Sequence, residues 1–380
     1  MSDNNLDDEW AREMAEEQAD RQRKAEPAPA ISKDEFLAWR APRRAGTQAV
    51  KLDNPLWHWL VRTRWSAYNA NEIFAGPSSC HAGPMWCFDR FGTSETPLPD
   101  GRVVHIGGEH EDAYDPDFFI YNDVIVTAPD GGIAIYGYPT EVFPPTDFHS
   151  ATLADGSIFI IGCLGHPDQR VRQTTPVYKL APDSMSISQV ETSGESPGWI
   201  YRHSARLSDN GQCIIVSAGE RWLGREYPTI ENIDSWSLNT LTGEWQRLTR
   251  RRWQHWTIRR IDRKSSRLQD VRQLLWHRKN SHLGLESYWR YDDEPDFPAL
   301  AMLYRLDDTA PAPDKGPDYN VFSTMVDGLT VRFREARGWV EVIVEGRLSE
   351  ARLRQLQHHT LALIERLEAS ACELKDMGND

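Results

Sequence analysis

The sequence predicts a mainly β chain folded as a β-propeller of about five blades, with four or six as the alternatives, followed by a small C-terminal α+β unit. Two observations predict it. LPDGRVVHIGG (98–108), LADGSIFIIGC (153–163) and LSDNGQCIIVSAG (207–219) repeat one another, with leading leucines 55 and 54 residues apart. Around them, FHSATL (148–153) and RHSARL (202–207) place His149 and His203 four residues before the shared leucine, and each copy has a second apolar run downstream.

Each copy reads as one four-stranded sheet. Residues 150–153 form a first strand, Asp155-Gly156 supplies the positive φ of a tight hairpin, and the apolar run 158–162 is a second strand. A variable loop leads to a third strand at 177–180, and a fourth near 187–190 completes the unit. The third copy shows the second turn best, at 239–243 with Trp245 behind it. A sheet with two apolar faces cannot stand alone, so neighbours must stack. Three copies do not close a ring, and further strands are sought at 86–91, 253–261 and 299–306.

The histidine-led strand, the Asp-Gly turn, the apolar strand ending in Gly107-Gly108 and the Trp236 to Trp245 spacing together resemble the Kelch repeat over about residues 90–250. The later copies replace the glycine pair with Gly162-Cys163 and Ala218-Gly219, and the first two lack the Trp. The resemblance implies a propeller that usually serves as a binding platform, a few members being enzymes.

Composition bounds the rest. The chain has 380 residues, 39% hydrophobic, with fifteen Trp, ample for a buried core. No apolar run approaches the roughly eighteen residues of a membrane span, and the acidic N-terminus is unlike a signal peptide, so a cytoplasmic location is expected. Five widely spaced cysteines contain no CxxC pair, which argues against a disulfide framework or a zinc ribbon. Residues 1–30 read as a disordered acidic tail or a loose helix followed by a linker, 31–310 as the propeller with an N-terminal helical cap, 311–320 as a second linker and 321–380 as a hairpin plus long helix. A Ser32/Glu35 capping box and Asn54-Pro55 open the cap helices.

The order of strands in such a sheet puts its tight turns (Asp100-Gly101, Asp155-Gly156, Asp130-Gly131, Thr242-Gly243) on one face and its long connections on the other. Binding is expected on the long-loop face. Glu109, His110, Glu111, Asp112, Tyr114, Phe143 and Asp147 fall there, as do Arg170, Arg172, Trp199, Tyr201, Arg202, Arg225 and Tyr227, a set rich in the aromatic and Arg residues that anchor interfaces. The expected function is a cofactor-free interaction module with a protein partner, in a narrower form an acidic inhibitor or immunity-type protein whose binding falls steeply with salt.

Three other readings compete. An enzyme or metal site at the channel mouth would draw on the acids and His110 of 109–117, with His149 and His203 in the channel, although HExxH, Walker A, GxSxG and EF-hand patterns do not occur. A nucleic-acid contact would use 250–279, which holds eleven bases against Asp262 and Asp270, but a net charge of −14 repels a polyanion. Self-association would use the stripe Leu353, Leu356, Thr360, Leu363, Leu367, Ser370 and Leu374, whose alternative is to pack on the preceding hairpin.

Overall fold

The repeat does fold as sheets, and the sheets stack. The structure, a computed structural model, describes residues 3–46, 48–52, 54–110, 118–225, 227–280, 282, 289–305, 311–316 and 318–377, with the side chains of residues 3–9 outside the description. The chain is mainly β, with several antiparallel sheets in two compact units, Met1–Thr249 and Arg250–Asp380. No helix among the described residues is long and apolar enough to cross a membrane.

In the first unit each sequence copy is one antiparallel meander. The first sheet runs β2 (Ser94–Pro97), β3 (Val103–Ile106), β6 (Val124–Thr127), β7 (Ile133–Gly137), with β1 (Val50–Lys51) added at its edge. The second runs β8 (Ser150–Ala154), β9 (Ser157–Ile161), β10 (Val177–Ala181), β11 (Ser186–Gln189). The third runs β14 (Ser204–Leu207), β15 (Cys213–Ser217), β18 (Ser235–Asn239), β19 (Glu244–Arg247), with β12 (Ser193–Gly194) parallel at its edge.

The alternation of side chains along a strand explains the stack. On β9, Ile158 and Ile160 pack into the core shared with Val104, Ile106 and Val126 of the first sheet, whereas Phe159 and Ile161 pack with Ile214, Val216 and Trp236 of the third. The middle sheet is therefore buried on both faces, which is why its second strand carries an almost unbroken apolar run. On β15 buried and half-buried residues alternate.

The other face of the first sheet packs against helices. Ile125 and Ile135 share a core with Phe36 of α2 (Lys33–Trp39), Trp57, Trp59 and Leu60 of α3 (Pro55–Thr63) and Ala67 and Ala70 of α4 (Ala67–Ile73). The Ser32/Glu35 capping box forms in both directions, and Asn54 caps the turn that Pro55 opens. The short α5 (Ser79–Ala82) follows.

The stacked sheets are fastened by equivalent residues. His149 Nε2 bonds Ser94 Oγ at 2.8 Å, and one sheet further on His203 Nε2 bonds Ser150 Oγ at 2.8 Å. One residue earlier, the N–H of Phe148 donates to the carbonyl of Gly92 and the N–H of Arg202 to that of Phe148, both at 2.8 Å. Gly92, Phe148 and Arg202 all hold left-handed backbone, with φ of 64°, 49° and 54°. The repeated glycine after the second strand has a similar cause. A Cβ on Gly162 (φ +67°) would lie 2.3 Å from the Ile200 carbonyl, and one on Gly107 (φ +57°) 2.2 Å from that of Thr146. Gly162→Ala is expected to lower the denaturation midpoint by at least about 1–2 kcal/mol of stability, whereas Ala218→Gly, at the equivalent third position, should raise it or leave it level.

Several expectations need correction. Of the two readings of the N-terminal tail, disorder and a loose helix, residues 3–24 take the second, as helix α1 (Asp3–Lys24). Its low apolar content suggested disorder, but Glu, Ala, Arg, Gln and Met are strong helix formers, and Asp20 pairs with Lys24 at 2.6 Å. The stretches sought as further blade strands lie elsewhere. Residues 86–91 are irregular, with Trp86 stacked on Trp57 at 4.7 Å. Residues 254–260 form β20 (Gln254–Arg260) of the second unit, and 297–302 form helix α7 (Phe297–Met302).

The second unit is one antiparallel sheet in the order β21 (Asp314–Lys315), β22 (Val321–Val326), β23 (Leu329–Ala336), β24 (Trp339–Val344), β20, β25 (Cys372–Asp376). Trp256, Ile258, Phe333 and Val342 pack against Leu268 and Val271 of α6 (Arg267–Lys279) and Leu356, Ile364 and Leu367 of α8 (Glu350–Glu368). The expected long helix stops at Glu368, and Ser370 and Leu374 lie beyond it. Its stripe packs on the unit's own sheet, Leu353 and Leu363 included, so the seam proposed for self-association is already occupied. The expected linker at 311–320 contributes β21 instead.

Candidate interaction face

The meander order fixes which connections share an end of the stack. The tight turns at 98–102, 155–156 and 208–212 join first to second strands, those at 128–132, 182–185 and 240–243 join third to fourth, and all lie at one end. The described residues of the long connections 107–123, 162–176 and 218–234, with the inter-sheet connections 138–149 and 190–203, lie at the other.

The described residues of these connections bond to one another. Glu109 exchanges both backbone bonds with Phe91, and β4 (Glu109–His110) pairs β5 (Phe119–Ile120). β13 (Trp199–Tyr201), β16 (Glu220–Trp222) and β17 (Ile230–Glu231) form a second small sheet. Between connections, Cys163 N–H donates to Ile200 O at 3.0 Å, Leu164 N–H to Asp147 O at 3.0 Å and Gly108 N–H to Thr146 O at 2.8 Å. The Phe118 ring meets His166 edge-on at 6.1 Å.

Within this face the sequence-selected residues divide by burial. Phe143 is fully buried against Tyr138 and Tyr178, so it is core and not a contact residue. Trp199 and Tyr201 are also buried: the indole of Trp199 donates to Leu164 O at 3.2 Å, and the Tyr201 hydroxyl to Glu220 at 3.3 Å. Arg170 donates to the carbonyls of Leu164 and Gly165, shaping its own loop. His110 is buried on β4. Glu111, Asp112 and Tyr114 lie outside the described residues.

Asp147 is fully buried and accepts from Gly165 N–H at 2.6 Å. Burial pushes its carboxyl up, against the Gly165 bond, a side-chain bond with Glu109 and the charges of Arg170 and His166. His149 and His203 are buried and neutral, burial pushing them down to about 3 and about 4. Each is a fastening between sheets, with Nε2 on the serine of the sheet before.

Arg172, Arg202 and Arg225 are exposed. Arg172 stacks over the half-buried Tyr227 at 5.4 Å, and Arg202 covers the Phe148 ring at 4.4 Å while pairing with Glu220 at 3.4 Å. Sequence reasoning missed three apolar side chains on these connections, Phe118, Val142 and Val171, and a fourth, Phe91, which pairs with Glu109; they are 47%, 38%, 55% and 65% exposed. Their signal was present, as apolar residues inside polar loops. Among the described residues no group of three or more His, Cys, Asp or Glu side chains could hold a metal ion.

No family model and no curated protein matches the chain. Among solved structures the chain is similar to one described as the structure of YjhT, at 13% identity and a TM-score of 0.33, over 67% of this chain and 79% of that one.

Proposed function

We propose that the three stacked sheets are Kelch-like propeller blades, the first capped by helices, and that the long-connection end binds a protein partner. The blade reading is supported by the repeated histidine–serine bonds and by the left-handed residues Gly92, Phe148 and Arg202 joined in series. The observation that carries the binding reading is that Phe91, Phe118, Val142 and Val171 are exposed at the same end of the stack as the exposed Arg172, Arg202 and Arg225. Exposed apolar side chains and arginines on one face are the composition of an interface. At the tight-turn end, Leu241 is the large exposed apolar residue among the described turns.

Affinity capture from the native cell tests the reading. Phe118→Ser/Val171→Ser should lose at least about 90% of a partner that wild type retains, since apolar anchors dominate interface energies, while Leu241→Ser at the opposite end should retain it. Equal retention by both variants would defeat the assignment. Trp199→Ala is unsuitable for this purpose, because emptying that buried site is expected to cost about 3–5 kcal/mol of stability.

A further inference from the structure

The second unit contains a cavity of about 480 Å³ between one face of α6 and the hairpin that carries β21 and β22. Gln269, Arg272, Gln273, Trp276 and Lys279 line one wall at helical spacings of three and four, so a single face of α6 is turned to the cavity. Lys315, Tyr319 and Phe322 form the facing wall. The helix is held firmly: the Glu368 carboxylate accepts from Arg267 N–H at 2.8 Å, Leu268 N–H at 3.2 Å and the Ser266 hydroxyl at 2.7 Å.

The chemistry of the lining is specific. Trp276 and Tyr319 are 50% and 91% exposed, an unusual state for large rings. The floor is electrically neutral, because Arg272 donates two bonds to Glu335, which also accepts from Tyr304 at 2.8 Å. Arg272 further covers the Phe322 ring at 4.2 Å. The remaining charges are Lys279 and Lys315, both exposed and neither with a carboxylate partner among the described residues. Asp314 and Asp318 lie on the same hairpin but not in the lining. The cavity thus combines aromatic walls with two cations that no carboxylate pairs among the described residues, in a volume typical of small-ligand sites.

We infer that this cavity is a binding site for a planar aromatic anion, its ring held against Trp276, Tyr319 and Phe322 and its charge by Lys279 and Lys315. The inference is independent of the reading of the first unit. It also revises the expectation for the basic segment 250–279. Arg260 pairs with Asp262 and Glu368, Arg263 with Glu373, Arg267 with Asp293 and Arg272 with Glu335, so much of that charge is neutralised within the unit and Lys279 is left for the cavity.

Equilibrium dialysis of the full chain against 1-naphthoate tests the site, with naphthalene-1-methanol as the neutral arm and adenosine 5′-monophosphate as the phosphate arm. The expected result is saturable binding of the carboxylate, weakened at least about tenfold in the neutral analogue, in Lys279→Glu/Lys315→Glu and in Trp276→Ala/Tyr319→Ala. Displacement by the nucleotide would assign the natural anion to a phosphate, and lack of displacement to a carboxylate. All four side chains are exposed, so the variants should keep the wild-type thermal midpoint, and Arg278→Glu, outside the lining, should bind as wild type does. Absence of saturable binding by either anion, binding that both double variants leave unchanged, or equal binding of the neutral alcohol would overturn the inference.

Discussion

Replacing Asp123 with leucine should destabilise the first unit by about 3–5 kcal/mol, enough to remove a large part of a typical domain's stability. The carboxylate is 2% exposed and faces the 1% exposed Arg90 guanidinium, with Nη2 to Oδ2 at 3.0 Å. It also accepts from the Trp86 indole at 2.8 Å, and Arg90 lies 3.4 Å from the centroid of the Tyr121 ring. Burial opposes the Arg90 charge, but Asp123 restores it. Removing the acid leaves a cation among aromatic rings with no water to solvate it. The double variant Arg90→Met/Asp123→Leu should recover much of the loss, because taking both charges away removes the desolvation cost as well as the attraction. Asp234→Leu, one residue before β18 of the third sheet, should behave similarly, since its partner Arg247 is 5% exposed and lies over Trp236. Denaturant midpoints measure all three, and a loss below about 1 kcal/mol for Asp123→Leu would show that the pair is not buried as described.

The second large effect is acid sensitivity. His149 and His203 are held at about 3 and about 4 against an ordinary value of 6.5. A lowered imidazole pKa means that below pH 6.5 the unfolded chain takes up protons that the folded chain refuses. The stability they confer is therefore complete above pH 6.5 and declines as pH falls, toward about 4 for His203 and about 3 for His149. At pH 5 the upper bound is about 2 kcal/mol for each residue. The raised Asp147 works in the opposite direction, its burial penalty being relieved as acid protonates it. His149→Gln/His203→Gln can keep a polar contact to Ser94 and Ser150 and should flatten the decline between pH 7 and 5, read from denaturant midpoints at the two pH values. An unchanged slope would mean that burial does not hold these imidazoles neutral as described.

Much of the first unit was legible because its information is local. Asp155 and Gly156 adopt the positive φ values, 47° and 68°, that their turn requires, and the apolar run of β9 reports burial on two faces. The unit boundary was not legible. β20 reads as another aromatic strand after the repeats, yet its partners are Val344, 90 positions after Gln254, and Asp376, 120 after Trp256, and no periodicity reports such distant pairing. The stripe on α8 was ambiguous for a related reason, since spacings of three and four serve a sheet face as well as a coiled coil. On the candidate face, Phe143 and Trp199 misled because they sit in long connections, where an aromatic suggests an anchor. Those connections build small sheets, and Phe143 joins the core between the first two sheets, whereas the apolar residues left exposed, Phe118 and Val171 among them, were marked only as apolar residues inside polar loops.

The claim on which the functional account rests is that partners meet the long-connection end of the stack. A photo-crosslinking amino acid placed singly at Val142, Val171 and Leu241 tests it most directly, by reading which positions form covalent adducts in the native cell. The account predicts a shared adduct from positions 142 and 171 and none from 241. The same adduct from position 241, or adducts at 241 alone, would contradict it.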